Sequence, residues 1–344
     1  MRLHSFIEKH LLKRTGISYL LYPLSLLYRV GHRIKQGRDL SRQYRAPYKV
    51  ISIGNLTAGG SGKTPLGLEL ARLLSENGYR VAVSHRGYKG NLEKETVLLD
   101  SEMELSPKIL GDEACLYASS LKDIPIVIGR DRVEAARLLQ QKKPDTQVLI
   151  LDDSFQNKKL HHDIDIVVVS AEMGLGNGFC LPAGYLREPL SSLKKGHYVV
   201  LLSKNGRTPG EALVSQLRSR TERIYFADLV PGELKAYNGE PTQKEELTGK
   251  KLLLVSGIGN PASFEETVCS LGLEWIKHLR YPDHYSFDDV SEINREASDY
   301  ILCTQKDVIK LALHNELRGK LVYIELGLKW KNEGFVRDLL ASIS

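Results

Sequence analysis

The stretch TAGGSGKTP, residues 57–65, follows the apolar run YKVISI (48–53) and precedes the helical pattern LGLELARLLSENG (66–78). No other feature constrains the fold as much, because a buried strand, a glycine-rich turn and a helix in that order point backbone N–H groups and a helix N-terminus at one spot. That is how a chain cradles phosphate. The usual pattern is GxxxxGK[ST]. Gly62, Lys63 and Thr64 close it here, but Thr57 stands where the first glycine belongs. Read as a nucleotide loop, Thr57, Gly59, Gly60, Ser61 and Gly62 line the phosphates of ATP. Lys63 reaches the β- and γ-phosphates, and the Thr64 hydroxyl holds Mg²⁺. Pro65 is expected to open the helix and Gly78 to end it.

The same rhythm recurs along the chain. RVAVS (80–84), IPIVIG (124–129), QVLILDD (147–153), DIVVVS (165–170) and YVVLLS (198–203) are short, nearly continuous apolar runs, the mark of parallel strands covered on both faces. A second series starts after about residue 220 with IYFAD (224–228), KLLLVSG (251–257), YILCTQ (300–305) and a run over 322–326. The expected fold is therefore α/β: a P-loop-type parallel sheet with helices on both faces, plus a second, smaller α/β domain. A length of 344 residues accommodates two domains. The expected boundaries are 1–45, 46–220 and 221–344. Four scattered cysteines without a CxxC pair argue against a disulfide framework or a zinc site and fit a reducing cytosol.

Charge is concentrated at the start. Residues 1–45 carry ten Lys or Arg against Glu8 and Asp39, a net +8, so the rest of the chain sums to −2 of the overall +6. Such a segment seeks phosphates, in nucleic acid or on an anionic lipid surface. Within it, ISYLLYPLSLLY (17–28) is 12 residues long, against the roughly 20 needed to span a bilayer. Leucines interleaved with Tyr19, Tyr22 and Tyr28 between Arg14 and Arg29 suit a headgroup boundary. The reading is a basic amphipathic helix on a membrane surface, with no nucleic acid. A helix packed on the protein's own core is the alternative.

A P-loop needs a carboxylate at the end of another strand, and LILDDSFQN (149–157) supplies Asp152 and Asp153. Further reactive types gather in ILGDEACLYA (Asp112, Glu113), LPAGYLREPL (Arg187, Glu188) and YPDHYSF (Asp283, His284). Taken alone, the Asp283–His284 pair also reads as a surface pair. In order, SIGNLTAGGSGKTP, HRGYKG, GDEACLYA, GRDR, LDDSFQNKKLHHDIDIVVV, LPAGYLREPL, GIGNP, YPDHYSF and TQKDVIKL make the chain resemble the tetraacyldisaccharide 4′-kinase family of lipid A synthesis, over about residues 48–312. The loop of that family also lacks the first glycine.

The resemblance implies an ATP- and Mg²⁺-dependent kinase that phosphorylates the 4′-hydroxyl of an acylated glucosamine disaccharide 1-phosphate at the cytoplasmic face of the bacterial inner membrane. It implies Asp112 as base with His284 as its partner. Arg132 and Arg187 would lie near the transferred phosphate. Asp152, Asp153, Gln156 and Glu188 would join Thr64 around Mg²⁺ and the phosphates. With His284 in the other domain, closure would assemble the dyad. The chain departs from the family at Ser154 and Asn157, where many members have Gly and His, and at His162, commonly Arg. A membrane-associated deviant P-loop ATPase of the partitioning type is the alternative, but its signature lysine would fall at Ala58.

Overall fold

Along the strand that feeds the glycine loop, alternate side chains point to opposite faces, and each face finds a different helix layer. Ile51 and Ile53 share a core with Leu66, Leu70, Ala71 and Leu74 of the helix Lys63–Glu76. Val50 packs instead with Ala135, Ala136 and Leu139 of the helix Arg132–Lys142. Both faces are thus apolar, as the continuous runs required. The computed structural model describes residues 11–59, 62–99, 106–204, 206–332 and 334–343; Gly60 and Ser61 of the glycine loop lie outside these.

The strands are β1 (Lys49–Asn55), β2 (Val81–His85), β3 (Val97–Leu98), β4 (Ile126–Ile128), β5 (Val148–Leu151), β6 (Ile164–Ser170), β7 (Tyr198–Lys204), β8 (Ile224–Ala236), β9 (Leu252–Ser256), β10 (Lys277–Arg280), β11 (Tyr300–Thr304) and β12 (Leu321–Trp330). They form one 12-stranded sheet in the order β10-β9-β11-β12-β8-β7-β6-β1-β5-β2-β4-β3. All neighbours are parallel except β12 with β8 and β3 with β4. The two series of strands seen in the sequence therefore share hydrogen bonds. The series meet at the parallel β7–β8 pair, and the seam just beyond it is the long antiparallel β8–β12 pair, whose register shifts between Ile324 and Leu326. The core beyond the seam is separate, with Leu253, Val255, Phe287, Ile301 and Leu311 in one cluster. The last helix, Gly334–Ile343, crosses back to stack Phe335 on the core of the first series.

β10 escapes the sequence reading because its residues, Lys-His-Leu-Arg, bury only Leu279 at the sheet edge. The helix after the glycine loop begins at Lys63, two residues before Pro65, with Gly62 as its cap at φ +81°. That left-handed conformation is one that a side chain disfavours. Pro65 still sits in the first turn, where its missing N–H costs nothing.

The basic segment forms the helix Gly16–Ser41, which includes Pro23. Its polarity is inverted relative to a core helix. Ser18 and Ser25 are fully buried, while Leu20, Leu24, Leu27 and Ile34 are each more than half exposed. The Ser25 hydroxyl donates to Cys180 O (2.7 Å) and accepts from Ala183 N (3.0 Å). The helix is held by hydrogen bonds along a polar inner face and turns its apolar side outward. No helix among the described residues is long and apolar enough to cross a membrane.

Candidate active site

Thr57 explains itself once the loop after β6 is in view. It forms an antiparallel bridge with Leu186, flanked by Ala58 N–H to Tyr185 O (2.8 Å) and Arg187 N–H to Leu56 O (2.7 Å). A bridged residue is extended, a conformation open to any L-residue, so no glycine is needed there. The same bridge carries Arg187 to the mouth of the glycine loop. Its guanidinium donates to both oxygens of Asp153 (3.1 and 3.2 Å). Lys63, at the first turn of its helix, places Nζ 3.4 Å from Asp153 Oδ1. Burial alone would raise the Asp153 pKa, but Lys63 and then Arg187 outweigh it and hold the carboxyl below its ordinary value.

Asp152 lies deeper. It is 1% exposed, and burial raises its pKa, with His85 opposing and Glu113 reinforcing the shift. His85 Nδ1 accepts the Gly87 N–H (3.0 Å), so Nε2 bears the ring proton and donates to Glu113 Oε2 (3.1 Å), with Asp152 Oδ2 at 3.9 Å. The three ligand-type atoms lie within 4.8 Å of one another. Because the imidazole nitrogen carries its proton, the group is a hydrogen-bonded network, and its spare oxygens belong to the carboxylates. Neither His85 nor Glu113 was assigned a role from the sequence. β2 is buried along its whole length, His85 included, but the partners of the imidazole come from other strands and helices.

Gln156 donates from Nε2 to Asn55 O (2.9 Å), which pins the turn after β5 against the end of β1. Glu188 departs from this group. It is 2% exposed and lies under the helix Gly16–Ser41, with Oε1 3.9 Å from His32 Nε2. Arg132 is buried at the start of its helix. It donates to Ser154 Oγ (3.0 Å), Ser84 Oγ (3.1 Å), Gly129 O (3.2 Å) and Asp152 O (2.7 Å). Burial lowers its pKa to about 10, so it stays cationic at neutral pH. Ser154 thus anchors the arginine through a hydroxyl that the common glycine could not supply. Removing the guanidinium orphans several buried acceptors, each at about 1–3 kcal/mol. Arg132→Met is therefore expected to lower stability by about 3 kcal/mol or more, read as a shift of the urea midpoint at constant slope.

The second cluster joins residues 172 positions apart. Asp112 opens the helix Asp112–Ser120 behind Gly111, whose φ is +84° and whose missing Cβ leaves room for the carbonyl of Tyr88. His284, at φ +62°, places Nδ1 2.9 Å from Asp112 Oδ2. Lys310 Nζ lies 3.2 Å and Lys306 Nζ 3.8 Å from the same oxygen. Burial raises the Asp112 pKa, but the His284 hydrogen bond and the two lysines outweigh it, so the carboxyl stays ionised. The Asp112–His284 contact is already made in this structure. Neither lysine was singled out from the sequence as a site residue.

Beside the Asp153–Arg187 pair opens a cavity of about 630 Å³, lined by Asp153, Gln156, Arg132 and Arg187 and by Arg86 and Arg130. Its far wall is the inner face of the helix Gly16–Ser41, through His32 and Lys35. Seven Lys or Arg against the carboxylates Asp39, Asp131, Glu134 and Asp153 leave the lining net cationic, which suits an anionic ligand.

The tetraacyldisaccharide-1-P 4′-kinase family model matches residues 17–344. A tetraacyldisaccharide 4′-kinase of Syntrophus aciditrophicus is 37% identical over 340 residues, covering 92% of this chain and 91% of that protein. One from Pelobacter propionicus is 35% identical over 337 residues, covering 94% and 92%. Among solved structures, LpxK from Aquifex aeolicus, crystallised in complex with ATP, superimposes with a TM-score of 0.78 at 28% identity, covering 95% of this chain and 99% of that one.

Proposed function

Since the chain belongs to the tetraacyldisaccharide-1-P 4′-kinase family, we propose that the two clusters are the halves of one phosphotransfer site, which phosphorylates the 4′-hydroxyl of an acylated glucosamine disaccharide 1-phosphate with ATP. The observation that carries it is the Asp112–His284 contact in a chain whose glycine loop presents Lys63. The loop and Lys63 bind the triphosphate. Asp112 takes the proton of the 4′-hydroxyl as its oxygen bonds to the γ-phosphorus, the bond to the β-phosphate oxygen breaks and ADP leaves. His284 orients the carboxylate. Arg187 and Lys63, now paired with Asp153, have phosphate oxygens as alternative partners.

Mg²⁺ is a hard cation that takes oxygen ligands. Asp152 fits it, a carboxylate whose burial and acidic neighbours Glu113 and Asp153 disfavour its charge. Thr64, Asp152, Asp153 and the side-chain oxygen of Gln156 would hold the ion, with Glu188 facing the helix instead. When bound, Mg²⁺ neutralises phosphate charge. The division near residue 220 belongs to the same proposal, with the nucleotide on one side of the β8–β12 seam and His284 brought from the other.

The acceptor is amphiphilic, and the inverted helix suits it. We read Leu20, Leu24, Leu27 and Ile34 as the stripe that enters the headgroup boundary on the cytoplasmic face of the membrane, with the basic residues on lipid phosphates. Each buried leucine is worth roughly 2 kcal/mol. The triple variant Leu20→Asp, Leu24→Asp, Leu27→Asp is expected to lose binding to anionic vesicles by about a hundredfold or more in a flotation assay. Unchanged flotation would remove this face from the membrane.

The activity is tested by supplying purified protein with γ-labelled ATP and the disaccharide 1-phosphate in detergent. Labelled bisphosphorylated lipid is expected. ATP turnover without glycolipid, and no label on the lipid, would sink the kinase reading.

A further inference from the structure

Every polar residue among the first seven of the motif TQKDVIKL is spent on the Asp112–His284 pair or its supports. Thr304 caps the helix Gln305–Leu311 and donates its hydroxyl to Asp307 Oδ2 (2.6 Å). Asp307, fully buried, accepts the Gly257 N–H at 2.9 Å. The carbonyl of Gly257 in turn accepts the N–H of His284 at 3.2 Å. The motif thus fixes the turn on which the imidazole stands. Gln305 donates to Ser120 Oγ (3.2 Å) at the end of the helix that Asp112 opens.

Lys306 and Lys310 lie four apart, on one face of the helix. Lys310 is 3% exposed, with Nζ 3.2 Å from Asp112 Oδ2, 3.6 Å from Asp307 Oδ1 and 5.4 Å above the Phe287 ring. Lys306 Nζ lies 3.4 Å from His284 Nε2 and 3.3 Å from Asp283 Oδ1. An ammonium group can only donate. His284 Nε2 is therefore the acceptor, Nδ1 carries the proton and donates to Asp112, and the ring is neutral with its tautomer set. All three groups that reach Asp112 converge on Oδ2. Among the described residues, Oδ1 accepts nothing.

We propose that Lys306 and Lys310 are positioning residues of the phosphotransfer site: they clamp Oδ2 of Asp112 and fix the His284 tautomer, which leaves Oδ1 to accept the sugar hydroxyl proton. This rests on Asp112 being the base. Two cations weaken a carboxylate as a base, but in a loose phosphoryl-transfer transition state the chemistry is mainly positioning and electrostatics. A carboxylate that is always ionised and held in one orientation then serves better than a more basic one that wanders.

The groups facing Asp112 are His284, Lys306 and Lys310 from beyond the seam and Cys115 on its own helix. Burial, the largest influence on Asp112, raises its pKa and is overcome by these partners. An opposite charge within about 4–6 Å lowers a carboxyl pKa by about 1–3 units. Without one lysine, the acid limb of the rate profile should move toward neutrality. The test compares kcat, KM for ATP and the pH–rate profile of Lys306→Met, Lys306→Arg, Lys310→Met and Asp112→Asn with the unaltered enzyme.

Each Met variant should lose kcat by about tenfold or more, keep KM for ATP within about threefold and shift the acid limb up by about one unit. Lys306→Arg should restore most of kcat and the original limb. If Lys310→Met fails to fold, Lys306→Met, on a more exposed side chain, decides alone. Lysine variants with unaltered kcat and limb beside an inactive Asp112→Asn overturn the clamp only. An active Asp112→Asn overturns the base on which it rests.

Discussion

Asp112→Asn is expected to reduce phosphoryl transfer by about three orders of magnitude while the Kd for ATP stays within a few fold. A positioned general base contributes roughly 10²–10⁴-fold, and the amide keeps the shape of the side chain but has no charge with which to take a proton. Lys306 and Lys310, both within 4 Å of Oδ2, would also lose their counter-charge, so the upper half of that range is expected. Nucleotide affinity is spared because no contact of Asp112 reaches Lys63 or Asp153. Single-turnover transfer with labelled ATP, beside equilibrium nucleotide binding, separates the effects. Weakened ATP binding in step with the lost rate would remove Asp112 from the role of base.

Lys63→Met should show the complementary pattern. The ammonium sits at the first turn of its helix and meets Asp153 at 3.4 Å, so its loss removes a cation from the γ-phosphate and frees Asp153 to repel it. Preorganised charges of this kind are worth about 10²–10³ in kcat. Here ATP affinity should fall as well, because the contact exists in the ground state. Asp153 should also titrate at a higher pH, having lost the first of the two cations that hold it down. Its contribution, present above its unfolded pKa and lost on acidification, would disappear at a higher pH than in the unaltered protein. A variant with normal kcat and KM for ATP would mean that the phosphates bind elsewhere.

Much of this was legible in the residues. The strands around β1 could be placed within a residue or two because continuous apolar runs report burial on both faces. Lys63, Asp153 and Arg187 stand in short motifs, and the structure brings them together. Asp112 and His284, in separate motifs, also meet. The resemblance sets Glu188 with them, but it lies under the helix Gly16–Ser41. The sequence shows that its neighbour Arg187 is part of a proline-flanked loop, but not which way adjacent side chains point once Leu186 bridges Thr57. The resemblance sets Arg132 near the transferred phosphate. Its hydrogen bonds are made to three backbone and side-chain groups at strand ends and to Gly129, partners that no local pattern announces.

Residue order alone determined the strand–loop–helix cradle, the apolar rhythm of a parallel sheet, the basic first segment and membership in a recognisable family, because each is written in neighbours a few positions apart. Only the tertiary structure decided that Thr57 needs no glycine, that Ser18 and Ser25 face inward while the leucines face out, that two strand series share one sheet, and that two lysines close on Asp112. Those outcomes depend on which distant surfaces meet and which buried polar groups must find partners. Local sequence periodicity carries the face of an element, but not what that face will touch.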